Sequence, residues 1–296
     1  MIYEFKIRDV APFINWLYFF HAWGFQPRYS QIAQIHSCAS CLNAWLATFP
    51  EAEKAKAKEA SLLFNEATRM LNTMDAQQLT VKSIVRLCAA NSDGDDIIIE
   101  GTRFPLLRQQ HRTDNNTPFL CLSDFIRPLT QGIPDKIGLF ATSIPNDFEK
   151  TCSDDQYQTL LIQTLNDRLA EAATEKMHLL VRKELWGYAP NENLSISELH
   201  RECFQGIRPA IGYPSLPDQS VNFILDSLLD MGKIGITITE HGAMYPHSSV
   251  SGLMIAHPQA RYFSVGKITE EQLADYASRR GLPIGEMRKF LAANLE

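Results

Sequence analysis

One short segment of the chain combines a stiff backbone with side chains that suit a charged ligand: Arg208-Pro-Ala-Ile-Gly-Tyr-Pro-Ser-Leu-Pro-Asp218. Its prolines restrict φ, whereas Gly212 permits a positive φ or the close approach of a ligand. The Arg208 guanidinium can hold a carboxylate through two parallel hydrogen bonds, and the Tyr213 ring face attracts a sulfonium cation. A preorganised site for a cationic amino-acid ligand fits these residues. On these grounds alone, a surface loop shaped by its prolines remains the simpler interpretation.

Two other polar clusters could carry chemistry. The string His36-Ser-Cys38-Ala-Ser-Cys41 has half the ligand spacing of a zinc site, and no second CxxC or His pair follows at the required distance. A redox dithiol is the alternative, but the string has no βαβ context, so we favour two incidental thiols. The acidic string at 91–96 superficially matches a calcium loop but lacks the terminal glutamate, which favours a turn before Ile97.

The bulk composition favours a globular protein with a small-molecule or protein partner. Of the 296 residues, 45% are hydrophobic, which is enough for a sizeable core. The net charge of −6 gives no basic footprint for nucleic acid. The most apolar stretch, at 11–25, is shorter than the ~20 residues of a spanning helix. Six cysteines are too sparse for a secreted disulfide scaffold, so we expect a cytoplasmic protein without membrane association.

The hydrophobic pattern predicts helices in the first quarter of the chain and strands after it. Segments 15–25 and 51–74 have helical character, whereas 97–99 and 138–142 have strand character. The longest predicted helix begins at Ser153, a favourable N-cap, and ends near Leu185. Its apolar face contains Tyr157, Leu161, Leu165, Leu169 and Leu180.

The pattern after the proline-rich segment mixes short strands with helices. It predicts a helix at 221–231 and strands of one sheet at 234–239, 252–256 and 262–268. Thr269 and Gln272 form a capping-box signature for a last helix, which ends at Gly281. Because helices come mostly first and no Gly-rich nucleotide-binding turn follows a first strand, the expected fold is α+β. We expect one domain over residues 1–296, with a mainly antiparallel sheet flanked by helices.

The proline-rich segment is similar to Arg-x-x-x-Gly-Tyr-Pro-x-x-Pro, the S-adenosylmethionine-binding signature of the reactivation domain of cobalamin-dependent methionine synthase. Further motifs that resemble this family follow in family order over nearly the whole chain. They are Phe19-Phe20-x-x-Trp23, Asn91-Ser-Asp-Gly94-Asp-Asp96, Leu107-Arg-Gln-Gln110, Cys121-Leu-Ser-Asp124-Phe, Asp167-Arg-Leu-Ala-Glu171, Trp186-Gly-Tyr-Ala-Pro-Asn-Glu-Asn193, Ser249-Val-Ser-Gly252, His257-Pro258, Arg261-Tyr262, Asp275-Tyr-Ala277 and Asn294-Leu295. Each motif is weak by itself, but their ordered sum is specific.

The resemblance implies a fold and a set of ligand-binding residues at the matching positions. Arg208 is expected to take the methionyl carboxylate region, and Gly212, Tyr213 and neighbouring backbone to hold the adenosyl part. Tyr262 is expected to complete the pocket. No catalytic residue and no metal ligand is implied. The full cofactor-binding set is Asn15, Glu171, Arg208, Ala210, Gly212, Tyr213 and Tyr262.

Some positions depart from the family pattern or have a simpler interpretation. Asn15 stands where the family has an acidic residue, so a charge that could face the cationic ligand is lost, and a neutral hydrogen bond is about half as strong as a charge-assisted one. Gln219 replaces a histidine and Leu253 an aromatic residue. Glu171 lies about 80° from the centre of the apolar stripe of its helix, and without the resemblance it reads as an ordinary exposed glutamate.

The function implied by the resemblance is repair of an oxidised cobalamin. The chain would present S-adenosylmethionine to the cobalt while a flavodoxin-type reductant supplies an electron. Since the chain has no Asp-x-His-x-x-Gly cobalamin motif, cobalamin is expected only through a partner, the cobalamin-binding module of methionine synthase acting in trans. The protein is thus expected to be a component of a methyltransferase. The alternatives are a docking module that has lost the ligand, for which Asn15 is the reason, and a reactivator of another corrinoid methyltransferase.

Overall fold

The structure of the chain, a computed structural model, describes residues 1–111, 118–145 and 155–296. The chain forms two compact units, each built from separate stretches of sequence. The first contains Met1–Tyr3, Ser83–Ser143 and Met177–Glu296, and the second contains Glu4–Lys82 and Ile144–Lys176. The chain therefore passes between the units several times. That these units act as one domain over residues 1–296 stays a prediction.

The strands belong mainly to the first unit. In chain order they are β1 (Ile2–Lys6), β2 (Thr80–Asp93), β3 (Asp96–Ile99), β4 (Thr102–Pro105), β5 (Asp135–Ser143), β6 (Thr237–Ile238), β7 (Met244–Tyr245) and β8 (Ser249–Met254). The main sheet has the order β4-β3-β2-β5-β8, and β1 pairs with β2. Strand pairs β2–β3, β3–β4 and β5–β8 are antiparallel. The expected α+β fold with an antiparallel sheet is confirmed.

Each of the helices buries at least one apolar side chain. They are α1 (Ile7–Val10), α2 (Trp16–Ala22), α3 (Ala39–Ala47), α4 (Glu51–Ala76), α5 (Gln156–Leu180), α6 (Ile196–His200), α7 (Asn222–Leu229), α8 (Glu270–Arg280) and α9 (Ile284–Phe290). In α4 the buried positions Ala60, Leu63, Ala67, Leu71 and Met74 recur at helical spacing. Among the described residues, no helix is both long and apolar enough to span a bilayer.

The core of the first unit lies on the central strands of the main sheet. Ile97 and Ile99 of β3 and Leu139 of β5 are fully buried there, with Leu225 of α7 in the same cluster. Gly94 has φ 60° at the tight turn between β2 and β3, where Asp93 pairs with Asp96. The acidic string at 91–96 is thus a hairpin turn, as predicted. In the second unit, aromatic rings pack edge to face, and Phe19 and Phe20 have centroids 5.6 Å apart.

Several predicted boundaries are wrong near the end of the chain. Residues 262–268 form no strand, because the Val265 amide donates to the carbonyl of Pro214 (2.9 Å), and proline has no N–H to return. Residues 234–236 do not extend β6, because Gly235 turns the chain with φ 83°. β6 pairs with β7 in a separate two-stranded sheet, so the predicted strands do not share one sheet.

The predicted ends of the helices agree more closely with the structure. Thr269 caps α8 by accepting from the Gln272 amide (3.3 Å), but the Thr269 amide donates to Oε1 of Gln110 (2.7 Å) and not to Gln272, so the reciprocal half of the capping box is not made. Gly281 ends α8 in the left-handed conformation, as expected. The longest predicted helix is α5 continued by a π-helical turn, Val181–Leu185. Its predicted N-cap, Ser153, lies outside the described residues.

Candidate functional site

The first half of the proline-rich segment is an extra edge strand of the main sheet. Ile207 and Ile255 exchange both of their backbone hydrogen bonds at 2.9 Å, and the Leu253 amide donates to the Pro209 carbonyl at 3.0 Å. The Ile211 amide then donates to Ser251 at 2.9 Å. This pairing with β8 is antiparallel. Pro209 has no amide proton, so the return bond to the Leu253 carbonyl is not made, and the pairing at this position depends on the Pro209 carbonyl alone.

Two glycines allow this edge strand to lie close to its neighbour. A Cβ atom on Gly252 would lie 2.2 Å from the carbonyl oxygen of Pro209, and one on Gly206 would lie 2.4 Å from the carbonyl oxygen of Ile255. Both contacts are with backbone atoms, so no rotation of a side chain could relieve them. The path of the segment that contains Arg208 is therefore set by glycine on both sides of the pairing.

A tight turn follows the edge strand and presents Tyr213. Gly212 has φ 87°, as the sequence predicts, and its amide donates to the Leu216 carbonyl at 2.8 Å. The Leu216 amide donates back to Tyr213 at 2.8 Å. Tyr213 lies at the tip of this turn with 51% of its surface exposed. The turn holds an aromatic residue at the surface on a backbone that is closed by its own hydrogen bonds.

The segment is fastened at both ends by tyrosines from elsewhere in the first unit. The Arg208 amide donates to the hydroxyl oxygen of Tyr262 at 3.0 Å. At the other end, the buried carboxylate of Asp218 accepts from the Tyr276 hydroxyl at 2.8 Å and lies 3.4 Å from Nε of Arg280. Burial, followed by the charge of Asp218, raises the pKa of Tyr276 well above its ordinary value of 10, so its hydroxyl stays a donor.

A buried polar cluster lies beside the start of the segment. Arg182, which is 0% exposed, forms two hydrogen bonds to the carboxylate of Glu192 at 2.9 and 2.8 Å. Its guanidinium carbon lies 4.0 Å from the ring centroid of Phe204. His178, one helical turn before Arg182, packs edge to face on the same ring, and its Nε2 lies 3.3 Å from the Tyr188 hydroxyl. A Cβ on Gly206 would lie 3.0 Å from that hydroxyl, which places the cluster directly against the segment.

The π-helical turn explains how one helix end can supply this cluster. The Trp186 amide bonds to the carbonyl of Val181 and the Ala189 amide to that of Arg182, at 2.9 and 3.0 Å. The widened turn brings the chain back so that Tyr188 and Glu192 face the helix that carries His178 and Arg182. π-helical turns of this kind are frequent at functional sites.

We expect His178 to make the protein sensitive to acid. Burial, followed by repulsion from Arg182 and Arg208, holds the pKa of His178 well below its ordinary value of 6.5. In the unfolded chain His178 therefore takes up a proton near pH 6.5, whereas in the folded chain it stays neutral at that pH. The contribution of neutral His178 to stability is complete above about pH 7 and is lost as pH falls, with a slope of up to about 1.4 kcal/mol per pH unit.

The measurement is urea unfolding of the wild type and of His178→Gln between pH 5 and 7. The free energy of unfolding should fall more steeply with acidification in the wild type. The two slopes against pH should differ by at most about the slope that the binding of one proton gives. Equal slopes for the two proteins would contradict the assignment.

The structure brings together most of the predicted binding residues. Arg208, Ala210, Gly212 and Tyr213 lie on the edge strand and its turn, and Tyr262 contacts the first of them. Asn15 and Glu171 belong to the second unit, and their convergence with the others stays a prediction. Asn15 caps α2, since its side-chain oxygen accepts from the Leu17 amide at 3.2 Å. Asp is an equally good N-cap, so this structural role is compatible with either residue.

The sequence-based assignment missed the residues that support the segment. Arg182, Glu192 and His178 form the buried cluster, and Gly252 receives the edge strand. A partial signal was present: His178 and Arg182 lie four residues apart on one face at the end of a long predicted helix, and polar side chains that such a face buries need partners. Tyr188, Glu192 and Gly252 also lie in motifs that were identified, without a role.

The comparisons with known proteins agree with this architecture. The fold and site define an α+β protein in which an edge strand packs closely against Gly252. This strand and the turn after it carry Arg208 and Tyr213. The family model described as vitamin B12 dependent methionine synthase, activation domain, matches residues 6–281. The chain is also similar to the crystal structure of the MetH reactivation domain bound to AdoHcy, at 35% identity and a TM-score of 0.85, covering 100% of this chain and 90% of that chain. The chain belongs to the vitamin B12-dependent methionine synthase activation domain family.

Proposed function

We propose that this protein binds S-adenosylmethionine and supports reductive methylation of an oxidised cobalamin. The observation that carries the proposal is the edge strand, which holds Arg208 and Tyr213 on a backbone seated against Gly252. The similar MetH reactivation domain is bound to AdoHcy, which is S-adenosylmethionine without its transferable methyl group. The full ligand set proposed is Asn15, Glu171, Arg208, Ala210, Gly212, Tyr213 and Tyr262.

The residues suit this ligand in charge and in stiffness. The Arg208 guanidinium pairs with the carboxylate, and the half-exposed ring of Tyr213 offers its face to the sulfonium. Because the segment is already closed by backbone hydrogen bonds, little ordering accompanies binding, and this preserves affinity. The protein contributes by holding the methyl group in line for transfer, and no general base is required.

The cobalamin itself is proposed to come from a partner. In this scheme the sulfonium methyl group passes to cobalt that a flavodoxin-type reductant has supplied with an electron, and AdoHcy remains on this protein. The partner is the cobalamin-binding module of methionine synthase, acting in trans. The exposed turn at Tyr213 supports this arrangement, since a ligand held there can be presented to another protein.

We expect Arg208→Ala to weaken S-adenosylmethionine binding by about 10- to 100-fold, because a charge-assisted bond to a carboxylate contributes about 1.5–3 kcal/mol. Isothermal titration calorimetry with S-adenosylmethionine and AdoHcy measures it. Arg208→Lys should show an intermediate loss, since it keeps the charge but not the fork.

The matched control is Arg201→Ala, which removes an exposed arginine that bonds only locally, to the Ser197 carbonyl. Its affinity should equal that of the wild type. Absence of binding by the wild type at millimolar ligand would overturn the proposal and favour the docking module without ligand. Equal affinity of Arg208→Ala and wild type would contradict the role of Arg208.

A further inference from the structure

The second unit contains a cluster of three metal-ligating side chains that the proposed function does not use. His36, Cys38 and Cys41 each place a ligand atom so that all of them lie within 4.8 Å of one another. Both thiols are free. His36 is exposed and the cysteines are half-buried, so the cluster is open to solvent. We propose that these residues bind a zinc ion, with a water molecule or an external ligand in the fourth position.

The start of α3 explains why the side chains converge. Cys38 is the N-cap of the helix and Cys41 is its third residue, so both side chains lie at the same helix end. The Cys41 amide donates to Sγ of Cys38 at 3.4 Å, and the Cys38 amide donates to Nδ1 of His36 at 3.3 Å. These local bonds fold the His36–Cys38 connection back over the helix end. The cluster is therefore built from six consecutive residues without help from distant chain.

The donor set selects the class of metal. Two thiolate sulfurs and one imidazole nitrogen are ligands for Zn²⁺, whereas Mg²⁺ and Ca²⁺ prefer oxygen. Tetrahedral zinc, with Zn–S of about 2.3 Å and Zn–N of about 2.0 Å, requires ligand atoms about 3.5–3.8 Å apart. The three ligand atoms now lie within 4.8 Å of one another, so each needs to move inward by about 1 Å or less to reach the distances around zinc. Side-chain rotation can supply such a movement.

The electrostatic setting also suits a thiolate site. The positive end of the α3 dipole favours negative charge at Cys38, and two thiolates neutralise a divalent cation. Three protein ligands leave one position open, as in catalytic and exchangeable zinc sites, in contrast to closed structural sites. The site is independent of the Arg208 segment, which belongs to the first unit.

The test is titration of the reduced, metal-free full chain with Co²⁺, followed by competition with Zn²⁺. We expect about one Co²⁺ per chain, with thiolate-to-cobalt charge-transfer absorption and tetrahedral d–d bands that Zn²⁺ removes. Cys38→Ser and Cys41→Ser each keep one thiolate, so the charge-transfer band should weaken in both single variants and be lost in the double variant. Cys38→Ser preserves the helix cap, because serine is a strong N-cap residue, so folding is retained. Cys203→Ser, which removes an exposed thiol elsewhere, should bind as the wild type does.

Four other outcomes of these titrations would contradict a zinc site made by His36, Cys38 and Cys41 of one chain. A charge-transfer band that survives both substitutions, or no band in the reduced wild type, excludes these ligands. A stoichiometry of about half a metal per chain would assign the ion to an interface between two copies. Reduced protein that forms a Cys38–Cys41 disulfide in air and takes up no metal would make the pair a redox dithiol. S-adenosylmethionine titrations on the same variants keep the failure of this site separate from a failure of the proposed function.

Discussion

Replacing Gly252 with alanine is expected to lower the melting temperature by roughly 2–12 °C and to weaken ligand binding. The added Cβ would lie 2.2 Å from the carbonyl oxygen of Pro209 and 2.9 Å from Cα of Ala210, so the edge strand must move away from β8. Overpacking of this kind destabilises by about 1–3 kcal/mol. Backbone strain is not involved, because Gly252 has no positive φ. Differential scanning calorimetry measures the shift, and S-adenosylmethionine titration measures the effect on the site.

Gly285→Ala is the matched control. Gly285 lies within α9, and nothing stands within 4 Å of the Cβ that alanine would add there. Alanine is a better helix former than glycine by about 1 kcal/mol, so the melting temperature should stay the same or rise. If the two variants melt alike, the close approach of the edge strand is not what Gly252 provides.

Truncation of Glu192 to alanine is expected to destabilise the protein by about 3–5 kcal/mol, which is one of the largest effects a single substitution can have. The change leaves the Arg182 guanidinium fully buried against the Phe204 ring without its carboxylate. Urea unfolding measures the free energy. The loss should be larger than that of the double change in which Glu192→Ala is combined with Arg182→Met, because the double change removes both buried charges.

The control is an exposed ion pair within α4. Nζ of Lys56 lies 3.1 Å from the Glu59 carboxylate, and the two side chains are 47% and 61% exposed. Glu59→Ala should change the free energy of unfolding by no more than about 0.5 kcal/mol, since water screens and replaces the interaction. Comparable losses in Glu59→Ala and Glu192→Ala would mean that burial does not set the value of the Arg182 pair.

These two substitutions probe opposite sides of the Arg208 segment. Gly252 lets β8 receive the segment, whereas the Arg182–Glu192 pair supports the chain beside Gly206. Neither residue is proposed to contact ligand. Loss of binding in both variants, with Arg208 unchanged, would therefore report on how rigidly the segment is held. The losses of unfolding free energy in Gly252→Ala and Glu192→Ala should be close to additive in the double variant, provided that no third side chain contacts both sites.

Local patterns in the sequence were sufficient for several elements of this fold. Spacing of apolar residues predicts α4 and α7, a glycine predicts the left-handed turn at Gly212, and Thr269 predicts the start of α8. These features depend on interactions between near neighbours, which a sequence records directly. The α+β class follows from the order of the elements, and the resemblance to the family follows from motifs in register along the chain.

Tertiary structure alone decided where the proline-rich segment lies and what surrounds it. A run with three prolines reads as a loop, yet 207–211 pairs with β8, because Gly252 leaves room for the Pro209 carbonyl and the amides of Ile207 and Ile211 complete the pairing on either side of the bond that Pro209 cannot donate. Residues 262–268, predicted as a strand, form none, and the Val265 amide donates instead to the distant Pro214 carbonyl. The Arg182–Glu192 pair is likewise a result of folding, since burial, which no local pattern specifies, determines that a charge must have a partner. The sequence determined which residues could bind a cationic amino-acid ligand, and long-range backbone pairing decided how rigidly those of the segment are held.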